Sequence, residues 1–130
     1  MSRSIKGIDH IAISVEDLER SAQFYKEIFG FEEAQRFARA DLRGKAVFLK
    51  LGNARLEIWE FEDKKEPKDD LKNLKIKGIR HIAFSVADVR NAYEELKMKV
   101  DISEPRTGAS EGVYCFLSDP DGIQIELYGS

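Results

Sequence analysis

One segment of this chain is written twice. Gly7-Ile8-Asp9-His10-Ile11-Ala12-Ile13-Ser14-Val15 returns as Gly78-Ile79-Arg80-His81-Ile82-Ala83-Phe84-Ser85-Val86, and the only two histidines, His10 and His81, hold equivalent places in the copies. A second echo follows each copy: Glu57, in Leu56-Glu57-Ile58-Trp59, stands 47 residues after His10, and Glu126, in Ile125-Glu126-Leu127-Tyr128, stands 45 residues after His81. A repeat this long does not suit a solenoid and fits two supersecondary units that share one core. With 130 residues and a hydrophobic fraction of 42%, the whole is the size of one compact domain, while either half alone is marginal. The expectation is one pseudo-symmetric domain over 1–130, with unit one at about 5–61, a connection at about 62–77 and unit two at about 78–130.

Periodicity sets the elements of each unit. Residues 8–15 alternate as a strand, with Ile11, Ile13 and Val15 on one face and His10, Ala12 and Ser14 on the other. Asp17 is placed to cap a helix whose Leu18, Ala22, Tyr25 and Phe29 recur at helical spacing, and Gly30 supplies its stop. Strand-like runs follow near 34–40, 45–51 and 54–61, divided by the turn signals Arg43-Gly44 and Gly52-Asn53. On the last of them Glu57 shares a face with Arg55, Trp59 and Phe61. Unit two repeats the order, with a strand at 79–86 and a helix capped by Asp88 that buries Val89, Ala92, Tyr93 and Leu96. An early strand is expected around 100–103, a loop over 104–112, a strand from Val113, a turn at Ser118-Asp119-Pro120-Asp121-Gly122, and a last strand carrying Gln124, Glu126 and Tyr128 on one face. The charged connection is expected to hold a short helix around 69–74.

Several function classes are excluded at this level. A net charge of -3, with basic and acidic residues interleaved, offers no stripe for a nucleic-acid backbone. No apolar run is long enough to span a membrane, and Met1-Ser2-Arg3-Ser4-Ile5-Lys6 leads into no signal-peptide core, so a cytoplasmic protein is expected. The single cysteine, Cys115, forms no intrachain disulfide and reads as a buried core thiol in an alternating strand.

The segments Asp9-His10-Ile11-Ala12-Ile13-Ser14-Val15, Asp17-Leu18, Phe24-Tyr25, Phe29-Gly30-Phe31 and Asp119-Pro120-Asp121-Gly122-Ile123-Gln124-Ile125-Glu126-Leu127 carry a family likeness. The chain resembles the vicinal oxygen chelate superfamily, which includes glyoxalase I, methylmalonyl-CoA epimerase, fosfomycin-modifying thiol transferases, extradiol dioxygenases and bleomycin-binding proteins. The resemblance implies an α+β fold of two tandem βαβββ units forming a curled mixed sheet. It also implies a divalent metal held by ligands from the first and last strands of each unit, positions that His10, Glu57, His81 and Glu126 match one by one.

Two imidazoles and two carboxylates supply nitrogen and oxygen donors with no thiolate, which suits Ni²⁺, Co²⁺ or Zn²⁺, and also Mn²⁺ or Fe²⁺. Four such ligands leave positions open on a six-coordinate ion for a small-molecule substrate bearing vicinal oxygens. Likeness to glyoxalase I implies proton transfer on a metal-chelated hemithioacetal through an enediolate, with Glu126 as principal base and Glu57 as its counterpart across the substrate. Ser14 stands where glutathione-dependent members commonly carry an arginine, and Glu57 stands where methylmalonyl-CoA epimerases usually carry a glutamine. An epimerase and a non-catalytic small-molecule binding protein are the alternatives. Trp59, Phe61, Tyr114 and Phe116 are candidate pocket walls, and Arg55 or Arg106 a candidate anion anchor. Family members assemble within a chain or between chains, and a homodimer is expected here.

Overall fold

The same strand order is built twice in the computed structural model, which describes residues 4–110 and 112–130. Met1-Ser2-Arg3 of the leading segment and Glu111 of the predicted loop lie outside the described residues. The chain divides into two compact units, Met1–Lys65 and Glu66–Ser130. The first contains β1 (Ile11–Ser14), α1 (Leu18–Phe29), β2 (Glu32–Arg39), a 3₁₀ turn at Ala40–Leu42, β3 (Gly44–Leu51) and β4 (Ala54–Phe61). The second contains β5 (His81–Val86), α2 (Val89–Leu96), β6 (Arg106–Thr107), β7 (Val113–Ser118) and β8 (Gln124–Gly129). Their sheets run β1-β4-β3-β2 and β5-β8-β7-β6. In both, the first strand lies parallel to the last and the remaining pairs are antiparallel. This is the α+β architecture of two tandem βαβββ units.

Local chemistry explains the helices. The Asp17 carboxylate accepts from the Arg20 backbone N–H and that of Asp88 from the Asn91 N–H, so each helix begins on a capped donor. Gly30 ends α1 in the left-handed region, at φ 80°, with its N–H returned to the Lys26 carbonyl. α1 packs on β3 and β4 of its own sheet. It buries Leu18, Ala22 and Tyr25, in a core with Val47, Leu49, Leu56 and Ile58. α2 packs on β7 and β8 and buries Val89, over Cys115, Leu117, Ile125 and Leu127. Each fully buried aliphatic side chain here contributes about 1.5–3 kcal/mol. The opposite strand face is left to the polar and aromatic positions.

Four sequence expectations are corrected. No helix forms at 69–74: the Asp70 carboxylate takes the Lys72 N–H and the Asn73 side-chain oxygen takes the Lys75 N–H, local bonds that compete with helical ones. In place of a strand at 100–103 there is one bridge, Ile102 to Leu117, because the Ser103 hydroxyl accepts the Phe116 N–H and ends the ladder. Two residues of the predicted loop, Arg106 and Thr107, instead pair with β7. The strands at 8–15 and 79–86 also start later than expected, at Ile11 and His81, after glycines with φ of 151° at Gly7 and 121° at Gly78.

Candidate metal centre

Parallel pairing decides where the histidines and glutamates go. Ala12 stands opposite Glu57 in the first sheet and Ala83 opposite Glu126 in the second, so the two repeats share one register. Each histidine precedes its alanine by two residues and shares that alanine's face, which turns it toward the glutamate. His10 Nε2 lies 3.9 Å from Glu57 Oε1, and His81 Nε2 lies 3.6 Å from Glu126 Oε1. The carboxylates are mostly covered, at 14% and 17% exposure, and the imidazoles less so, at 38% and 28%. A phenylalanine edge seats each ring: Phe48 meets His10 and Phe116 meets His81, both at 5.2 Å between centroids and nearly perpendicular. These phenylalanines stand directly opposite the glutamates, Phe48 across from Glu57 and Phe116 across from Glu126.

The separations are too long for hydrogen bonds. They fall near the roughly 3–4 Å that a histidine nitrogen and a carboxylate oxygen keep when both bind one ion at about 2.0–2.2 Å. The donor set, neutral nitrogen with anionic oxygen and no sulfur, fits a divalent ion of the nickel, cobalt or zinc type. Among the described residues no group of three or more His, Cys, Asp or Glu side chains gathers, and each unit carries one His–Glu pair.

The two half-sites differ in what surrounds them. Behind His10, the Asp9 carboxylate lies 3.8 Å from Nδ1 and is held at 3.0 Å by Arg55, whose guanidinium also covers the Phe48 ring at 4.2 Å. Arg55 therefore supports the histidine side of the site. In the second unit Arg80 takes the place of Asp9 and pairs with Asp69 at 2.8 Å, which draws the 66–77 stretch onto that unit. Arg80 Nε is buried without a hydrogen-bond partner among the described residues. A cavity of about 230 Å³ opens beside His81, walled by Leu71, Leu74 and Phe116, with Lys72, Arg80 and Gln124 at its polar side. A larger hollow of about 530 Å³ lies at the β2–β3 end of the first unit, and neither histidine lines it. Its cations are paired, Arg39 with Asp41, Arg43 with Glu62 and Lys45 with Glu60.

Of the predicted walls, Trp59 stacks on Phe61 at 5.2 Å and Tyr114 meets Phe116 at 5.9 Å. Arg106 is exposed on β6, opposite Tyr114. Sequence reasoning missed Phe48, although a signal was there: Phe48 precedes Glu57 by nine residues and Phe116 precedes Glu126 by ten. Cys115 is fully buried, and burial, with the nearby Glu126 charge, pushes its thiol above the usual range. It is a core residue.

The model of the glyoxalase/bleomycin resistance protein/dioxygenase superfamily matches residues 7–127. The chain belongs to this superfamily. Human mitochondrial methylmalonyl-CoA epimerase is 32% identical over 126 residues, covering 92% of this chain and 72% of that protein. A glyoxalase family protein of Enterococcus faecalis has the same fold at a TM-score of 0.82 and 27% identity, covering 96% of this chain and 98% of that one. A glyoxalase I variant from Zea mays matches at a TM-score of 0.76 and 26% identity, covering 94% of this chain and 44% of that one. Superfamily membership is consistent with the doubled βαβββ order and with a histidine and a glutamate in each half. Among the described residues, no helix is long and apolar enough to cross a membrane.

Proposed function

We propose that His10, Glu57, His81 and Glu126 together hold one divalent ion in the working homodimer, and that the protein is a lyase of the glyoxalase I type. Its reaction is the shift of a proton between adjacent carbons of the hemithioacetal formed by a 2-oxoaldehyde and a thiol. The observation that carries this reading is the pair of matching His–Glu half-sites, 3.9 and 3.6 Å across, one in each repeat. When bound, the ion supplies Lewis acidity that favours loss of a proton from carbon next to the substrate oxygens. Glu126 takes that proton on its carboxylate, the electron pair left behind moves toward the neighbouring carbonyl, Glu126 returns the proton to the adjacent carbon, and the hydroxyl proton of the first carbon passes to the oxygen of the second, leaving a thioester carbonyl and a new hydroxyl. The aromatic edges of Phe48 and Phe116 seat the imidazoles. Ser14 in the place of the usual arginine favours a thiol other than glutathione.

A second reading, epimerisation of an acyl thioester next to a carboxylate, is favoured by the 32% identity with the human epimerase and by the Lys72 and Arg80 cations beside His81. It uses the same base chemistry, with Glu57 acting on the opposite substrate face.

Metal analysis after reconstitution with Ni²⁺, Co²⁺ or Zn²⁺ tests the proposal. It is paired with ultraviolet assay of thioester formation from methylglyoxal and a panel of thiols, and with solvent-deuterium incorporation into methylmalonyl-CoA. Stoichiometric metal with thioester formation, reduced about 10²–10⁴-fold in Glu126→Gln, is expected. Deuterium incorporation without thioester formation establishes the epimerase reading. An active, metal-loaded Glu126→Gln, or a wild type that binds no metal, refutes both.

A further inference from the structure

The two glutamates are equivalent in the repeat and unequal in the structure. Two residues beyond Glu57, on the same strand face, Trp59 donates its indole N–H to Glu57 Oε1 at 2.6 Å. That ring is fixed on two sides, stacked on Phe61 at 5.2 Å with 4° between planes and meeting the Phe37 ring at 5.3 Å and 90°. A donor locked by packing holds its acceptor in one orientation. The residue at the matching place after Glu126 is Tyr128, and its hydroxyl is engaged elsewhere, 2.7 Å from Ser110 Oγ and 3.3 Å from the Ser110 carbonyl. Glu126 thus receives no hydrogen bond from its own i+2 neighbour; its side-chain partner is His81 at 3.6 Å.

We infer that Trp59 is a positioning residue that makes the duplicated site asymmetric: it holds the Glu57 carboxylate in one orientation for metal binding, a constraint that its repeat counterpart Tyr128 does not place on Glu126. The inference rests on the four-ligand reading above. It assigns different costs to the two glutamates, which repeat symmetry alone does not. A hydrogen bond from a packed donor to a ligating carboxylate typically carries 10–100-fold in metal affinity.

Trp59→Phe keeps the aromatic stack and deletes the donor. Titration with Co²⁺, read by its absorption and by chelator competition, is expected to show affinity falling about 10–100-fold in Trp59→Phe. The same substitution in a Glu57→Gln background should cost much less, and in a Glu126→Gln background the full amount, since only the first shares a partner with Trp59. Because Trp59 is the only tryptophan, the metal-free protein gives an independent readout. Its single ¹⁵N-indole resonance should move in Glu57→Gln and hold its place in Glu126→Gln, whether or not Trp59→Phe folds. Equal costs of Trp59→Phe in both glutamine backgrounds, or an indole resonance indifferent to Glu57→Gln, overturn the inference while wild-type metal binding keeps the four-ligand reading. A wild type that binds no metal overturns both.

Discussion

Asp119 organises the turn that leads into β8, the strand that carries Glu126. The side chain is 4% exposed, and its Oδ1 accepts two backbone N–H bonds, from Asp121 at 2.8 Å and from Ile123 at 2.9 Å. The backbone closes the same turn, with Asp119 N–H to the Ile123 carbonyl at 2.9 Å, Gly122 N–H to the Asp119 carbonyl at 3.0 Å, and Gly122 at φ 84°. Bonds from amides to a carboxylate contribute about 1.5–3 kcal/mol each. Asp121 and Ile123 are only half-buried, so water recovers part of that when the acceptor is removed. Asp119→Ala is therefore expected to cost about 2–4 kcal/mol, and Asp119→Asn, which keeps the oxygen and loses the charge, about 1–2 kcal/mol. Urea unfolding followed by circular dichroism measures both, the midpoint falling with little change of slope. If Asp119→Ala unfolds within about 0.5 kcal/mol of wild type, the surface-like value, or if Asn costs as much as Ala, the account of this turn is wrong.

Two further outcomes follow from packing. A Cβ at Gly129 would lie 1.7 Å from the Val86 carbonyl oxygen, a backbone atom of the paired strand that cannot rotate away. Gly129→Ala should separate the end of β5 from β8 and cost about 3 kcal/mol or more, so an unchanged urea midpoint would contradict the β5–β8 register. Burial raises the Cys115 thiol above its ordinary value of 9.0, so folding disfavours its thiolate. The associated stability is complete below that pH and is lost as pH rises through the folded value, with a shallower alkaline loss expected in Cys115→Ala. At pH 8 the native protein should resist a disulfide-exchange reagent until it unfolds, and rapid labelling under native conditions would place Cys115 outside the core.

Much of the fold was legible because it rests on local rules. Alternation over 45–51 and 54–61 marks β3 and β4, Asp17 and Asp88 mark helix starts, and Gly30 marks a stop, each through a bond or dihedral within a few residues. The predicted helix at 69–74 and strand at 100–103 failed where side chains of Asp70, Asn73 and Ser103 captured backbone amides that regular structure needs. Composition does not reveal such competition, since the same residues cap helices elsewhere.

For the site, the amino-acid order by itself determined the duplication, the pairing of one histidine with one glutamate in each copy, and the strand face they share, because side chains alternate with a period of two. Only the tertiary structure decided the register that brings Glu57 to 3.9 Å from His10 and Glu126 to 3.6 Å from His81. It also decided that Trp59 ties one glutamate while Tyr128 turns to Ser110 and leaves the other. These contacts join residues from different strands and loops, and their geometry depends on how aromatic rings pack, which no local pattern encodes.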